Sequence, residues 1–240
     1  MDRKYLLGLY EKAMPSRLTW AEKLQAAKDV GFDYVEMSVD ETDGKLARLD
    51  MTDGEVDAIR AAMRATGLGI RTIQLAGYDV YYEEGSEQTR ADFLKNLRKA
   101  ASMAAEEGVQ LGFETMETPF MDTVAKAMHY VREVDSPYLG VYPDAGNITN
   151  AALLYHGDPI EDLETGRGHI VAVHLKETVP GKYREIPFGT GHVDFQSIVA
   201  KSWELGVRRY VAEFWYNPAT DWREELSKAN DFMRNYLDKE

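Results

Sequence analysis

"RATGLGIRTIQLAG", residues 64–77, decides the fold. Gly67 closes an amphipathic run and Ile70 opens an apolar one, with two residues between them. Glycine stops helices because it enters the left-handed backbone region without a Cβ penalty. The stretch therefore reads as helix, stop, strand. The same order recurs around Gly31, Gly108 and Gly206. Working outward, strands are predicted over 5–10, 34–39, 70–77, 109–116, 138–144, 169–176 and 208–215. Helices are predicted over 19–31, 52–67, 87–107, 121–134, 195–205 and 221–237, with another inside 151–166 interrupted by Gly157 and Pro159. Thr19 with Glu22 and Thr52 with Glu55 have capping-box spacing. Trp20, Leu24 and Ala27, and then Val56, Ile59 and Met63, form apolar stripes.

Strand–helix alternation with short joints means parallel strands and right-handed crossovers. The predicted fold is an α/β TIM-type barrel in one domain, residues 1–240, with no linker-like segment. Such a barrel uses eight strand–helix units, and this chain supplies seven.

The net charge of −13 argues against nucleic acid as the main partner, but not against a phosphorylated small molecule. With no cysteine, thiolate metal sites and cysteine nucleophiles are excluded. The start lacks the apolar run of a signal sequence, and no stretch is long enough to span a membrane, so the expected location is the cytoplasm.

A parallel barrel places its chemistry at the carboxyl ends of its strands. Those ends carry Glu36, Glu114, Asp144, His174 and Glu213. One carboxylate there is commonly a loop cap, and one histidine in an apolar run is commonly a core residue. The last four sit on consecutive strands, and a buried charge gains nothing unless it is paired or bound to a cation. They form an oxygen-rich set suited to Mn²⁺, with Mg²⁺, Co²⁺ or Zn²⁺ as alternatives. A divalent ion on adjacent carbonyl and hydroxyl oxygens of a ketose acidifies the carbon-bound proton between them. Glu114 and Glu213 then fit a pair in which one removes that proton and the other returns one from the opposite face. Glu36 is a weak candidate substrate contact, Asn147 a candidate polar contact beside the metal, and Trp215 a candidate pocket wall that reads at least equally as core packing. Lys176, Lys182 and Arg184 are candidate phosphate donors, each of which reads more readily as solvent-facing. His129, His156, His169 and His192 are weaker ligand candidates. "AGYDVYYEEG", 76–85, reads as pocket wall or packing, and the acidic run around 36–43 as a solvated loop.

"LGLYEKAMP", "GFDYVEMSVDETD", "IQLAGYDVYY", "YPDAGN", "GHIVAVHLKET" and "IPFGTGHVDF" together resemble the L-ribulose-5-phosphate (L-xylulose-5-phosphate) 3-epimerases of L-ascorbate utilisation, within the xylose-isomerase-like barrels. The resemblance covers nearly the whole chain. It implies interconversion of the two ketose phosphates through an enediolate. It also implies a divalent metal on Glu114, Asp144, His174 and Glu213, with the two glutamates as acid and base. One departure stands out. That family carries a further strand–helix unit, with a His-Arg-Arg-like loop, between Gly67 and "GIRTIQLAGY"; here it is absent. A barrel short of a strand closes with seven, stays split, or borrows from a partner, so a homodimer is open. The alternatives are an epimerase or isomerase of another ketose, and a non-catalytic sugar- or metal-binding relic. An endonuclease of the same superfamily is disfavoured by the charge and by too few strand-end histidines.

Overall fold

The protein was described from a computed structural model covering residues 3–40, 42–75 and 86–240. The run 76–85 falls outside these. The chain forms two compact units, residues 1–77 with 210–239, and residues 78–209.

In the first unit, β1 (Leu6–Tyr10), β2 (Tyr34–Val39), β3 (Gly69–Leu75) and β7 (Arg209–Ala212) lie in the order β3-β2-β1-β7. β1 pairs parallel with β2, and β2 parallel with β3. Every residue of β2 is buried, as expected of a parallel strand covered on both faces. The crossover helices are α1 (Trp20–Asp29) and α3 (Asp53–Thr66); α9 (Trp222–Leu237) follows β7. Both predicted capping boxes form, Thr19 with Glu22 and Thr52 with Glu55. Gly67 ends α3 in the left-handed conformation, φ 71°.

β3 departs from the sequence reading. Its register against β2 shifts between Val35 and Glu36, so that Val35 faces Ile70 while Glu36 faces Thr72. Beyond that bulge the apolar residues turn outward: Ile73 and Leu75 are more than 60% exposed. Gln74 is instead drawn inward, where its Oε1 accepts from the Tyr10 hydroxyl at 3.0 Å. Among the described residues β3 is the edge strand of its sheet. The acidic run is also not a simple solvated loop. Asp40 is buried against Lys12 at 2.6 Å, and a short helix, α2 (Asp43–Leu46), follows it.

The second unit holds α4 (Glu87–Glu107), β4 (Leu111–Glu114), α5 (Val124–Val134), β5 (Leu139–Tyr142), α6 (Ala145–Tyr155), α7 (Pro159–Thr165), β6 (Val173–Leu175) and α8 (Phe195–Glu204). β4 and β5 run parallel, with Glu114 beside Tyr142. Parallel bridges Val141–Ile170 and Asp144–His174 join β5 to the β6 segment. Gly140 permits this: a Cβ there would lie 2.3 Å from the His169 carbonyl oxygen. The region predicted as one interrupted helix within 151–166 is two, because α6 starts directly after β5 at residue 145 and stops at His156, φ 56°. Pro159 then opens α7, where a missing N–H costs nothing.

Among the described residues no helix is long and apolar enough to cross a membrane.

Candidate metal centre

Three adjacent parallel segments of the second unit each bring a ligand-capable side chain to the same cluster. Glu114 is the last residue of β4. His174 lies within β6, and Asp144 follows β5 by two residues. The bridge between Asp144 and His174 and the pairing of Glu114 with Tyr142 set their heights. Glu114, Asp144 and His174 each offer a ligand atom, and these lie within 4.8 Å of one another. Asp144 and His174 are buried, and Glu114 is half-buried.

The candidate ligands are held from behind. His174 Nδ1 is 3.0 Å from Glu114 Oε1, and its ring packs on Tyr142 with centroids 4.3 Å apart. Asp144 is the N-cap of α6: its Oδ1 accepts from the Asn147 N–H at 2.7 Å, leaving Oδ2 on the other side of the carboxylate. The Thr115 hydroxyl accepts from the Asp144 N–H at 2.8 Å, and Asn147 Nδ2 donates to the Thr115 carbonyl at 2.7 Å. Lys176, buried, brings its ammonium to 3.4 Å from Asp144 Oδ1.

The donor set fits a divalent ion. Two oxygens and an imidazole nitrogen are the ligands of hard to borderline ions. Ligands on opposite sides of an ion at bond lengths of about 2.1–2.4 Å stand about 4.2–4.8 Å apart, which the observed spacing accommodates. Lys176 balances one of the two neighbouring carboxylates, and a divalent ion would balance the other.

The other expected residues are placed as follows. Glu213, just past β7 in the first unit, is buried. Glu36 does not end its strand: β2 continues to Val39, and Glu36 is fully buried inside it. Asn147 is the third residue of α6 and braces Thr115, with its Oδ1 buried and without a hydrogen-bond partner among the described residues. Trp215 packs edge-on against Tyr10, at 6.1 Å and 83°. Lys176 is inside and not solvent-facing, because Asp144 supplies its counter-charge. Lys182 is exposed, and the half-exposed Arg184 pairs with Glu117 at 2.6 Å. His129, His156 and His169 are exposed.

Buried carboxylates outside that set were missed, Glu177 and Glu11 among them. Glu177 accepts from the backbone N–H groups of Thr178, Gly189 and Val193 at 3.0–3.2 Å, so it pins both ends of the loop after β6. His192 belongs to that staple, with Nε2 3.1 Å from the Thr178 hydroxyl; burial pushes its pKa down. Glu11, beyond β1, is ringed by Lys23, Lys45 and Arg48. Neither shows a sequence signal, since their partners are backbone groups or cations far along the chain.

The chain as a whole matches known proteins. The chain belongs to the xylose isomerase-like TIM barrel family, which matches residues 64–236. It is an enzyme of the isomerase class, an epimerase. It is 38% identical over 275 residues to L-ribulose-5-phosphate 3-epimerase UlaE of Salmonella paratyphi C (strain RKS4594), covering 98% of this chain and 95% of that one. It is 37% identical over 280 residues to the enzyme of the same name from Escherichia coli (strain SMS-3-5 / SECEC), covering 100% and 97%. Among solved structures it resembles D-allulose 3-epimerase from Methylomonas sp., with a TM-score of 0.78 at 16% identity over 98% of this chain and 99% of that one. It also resembles an L-ribulose 3-epimerase, with a TM-score of 0.70 at 18% identity over 98% and 95%. At such identities these two show the fold alone.

Proposed function

We propose that this chain interconverts L-ribulose 5-phosphate and L-xylulose 5-phosphate by inverting C3. The carrying observation is the identity of 37–38% to L-ribulose-5-phosphate 3-epimerases over essentially the whole chain. The convergence of Glu114, Asp144 and His174 supports it. In this reading Glu114, Asp144 and His174, with Glu213 by its strand-end position and the family resemblance, hold a divalent ion, Mn²⁺ first among the candidates. Bound there, the ion would withdraw electron density from the ketose oxygens and so acidify the C3 proton. One of Glu114 and Glu213 takes the proton from C3, the substrate passes through its enediolate, and the other glutamate delivers a proton to the opposite face. Buried Lys176 and the α6 N-terminus orient Asp144.

We also propose that a strand–helix unit of the relatives is missing after Gly67. A match of 280 aligned positions to a chain of 240 residues leaves at least 40 positions without a counterpart here. The outward-facing Ile73 and Leu75 of edge strand β3 support placing the gap at that join. This keeps a second reading in play, a barrel that binds sugar or metal without turning it over.

The test is proton NMR of L-xylulose 5-phosphate in D₂O with purified protein and Mn²⁺, against an EDTA control. Deuterium entering at C3, with product forming and with loss of both in Glu114→Gln, is the expected result. Exchange that persists in Glu114→Gln would remove Glu114 from the chemistry. No exchange in folded, Mn²⁺-loaded protein would favour the second reading.

A further inference from the structure

A second cluster lies wholly in the first unit, around the carboxyl ends of β1 and β2. It lines a cavity of about 490 Å³ whose walls include Lys12, Lys23, Lys45, Arg48, Trp215 and Tyr216. Glu11 lies at its base, 1% exposed. Lys23 Nζ reaches Glu11 Oε2 at 2.9 Å, Lys45 Nζ reaches Oε1 at 2.7 Å, and Arg48 contacts both oxygens. Lys12 pairs with Asp40 at 2.6 Å. Four cations therefore meet two carboxylates. Burial alone raises the Glu11 pKa, but Arg48, Lys23 and Lys45 outweigh it and hold it down to about 2, so the carboxylate stays charged. The cluster keeps an excess of two positive charges near neutral pH, in a chain whose net charge is −13.

That excess is crowded. Lys45 has its pKa pushed down by burial first, then, against the pull of Glu11, by Arg48 and Lys12. An ammonium has three donors, and among the described residues Lys45 gives one to Glu11. Such a pocket is neutralised by a dianion with several acceptor oxygens. A phosphate monoester carries about −1.5 to −2 charges and three such oxygens. Position adds a second argument. The Tyr216 N–H donates to the Lys12 carbonyl at 2.7 Å, tying the segment after β7 to the end of β1. That segment supplies two walls of the cavity and also carries Glu213, two residues before Trp215.

We propose that the Lys12–Lys23–Lys45–Arg48 pocket binds the phosphate group of the sugar phosphate. This rests on the epimerase reading for the identity of the sugar, and on the pocket alone for the phosphate. It gives the chain a phosphate site that needs nothing from the unit missing after Gly67. The acyclic 5-phosphate lies only a few bonds beyond C3, so a site beside the Glu213 segment suits it.

The experiment titrates the full chain with inorganic phosphate and with L-ribulose 5-phosphate, followed by calorimetry and thermal unfolding, at ionic strength fixed with chloride. It compares wild type with Lys45→Ala, Lys12→Ala and the charge-preserving Lys45→Arg. Wild type binds both ligands; each alanine variant, still folded, binds about tenfold more weakly, and Lys45→Arg recovers most of the affinity. In kinetics, the preference for L-ribulose 5-phosphate over unphosphorylated L-ribulose, read as a kcat/KM ratio, shrinks by a similar factor in the alanine variants. Phosphate affinity unchanged in folded Lys45→Ala and Lys12→Ala overturns the proposal, as does a wild-type chain that binds neither ligand. Phosphate binding that depends on Lys45 in a chain that turns over neither sugar supports the pocket while refuting the epimerase reading.

Discussion

Glu11 shows how much one side chain organises here. Its carboxylate gathers Lys23, Lys45 and Arg48, and Oε1 also accepts from the Ser38 N–H at 3.0 Å. Its pKa is depressed from 4.5 to about 2 on folding, so its contribution is present above the unfolded value and lost as pH falls through the folded one. A shift of that size is worth about 3 kcal/mol. Denaturant unfolding of wild type and Glu11→Gln should differ most at pH 7, with the gap closing between pH 4.5 and 2. A gap independent of pH would sink the argument. At this scale the sequence was informative wherever chemistry coincided with a strand end, as at Glu114, Asp144 and His174. It misled at Glu36, which was taken as a strand-end residue although the strand read over 34–39 is the one that forms and puts Glu36 third of its six residues. Lys176 looked solvent-facing because its partner, Asp144, sits 32 residues earlier.

Elements were the most legible scale. Capping boxes and helix-stopping glycines are local devices, so they can be read without knowing the fold. Thr52, Glu55 and Gly67 bracket α3 as expected, and Gly108 closes α4 at φ 66°. Thr52→Ala removes the acceptor for the Glu55 N–H, and Gly67→Ala places a Cβ at φ 71°. Each should cost about 1 kcal/mol in chemical denaturation; a neutral Gly67→Ala would mean that the α3–β3 joint relaxes. Two elements resisted reading. The start of α6 was hidden because Asp144, read as a strand-end residue, is also the helix cap, so no loop residues announce the change. The outward turn of Ile73 and Leu75 was hidden because a bulge depends on the partner strand.

At the scale of the whole molecule, strand–helix alternation pointed to an α/β barrel, and motifs such as "YPDAGN" and "GHIVAVHLKET" to the family that the matches then established. The number of units was legible only as a count that falls one short. The cationic pocket has a consequence for how fast a substrate arrives. A chain of net charge −13 repels an anionic sugar at long range, while a pocket with two excess positive charges attracts it only at close quarters. The screening length is about 30 Å at 10 mM salt and about 10 Å at 0.1 M. Adding salt therefore strips away the distant repulsion first. With encounter limiting, kcat/KM for the phosphorylated sugar should rise as salt goes from about 10 to 100 mM, then fall as anions compete for the pocket. A steady fall from the lowest salt upward would mean that the local field dominates the approach. Such a maximum would make this an enzyme slowest to meet its substrate in dilute buffer and fastest at an ionic strength of about 0.1 M.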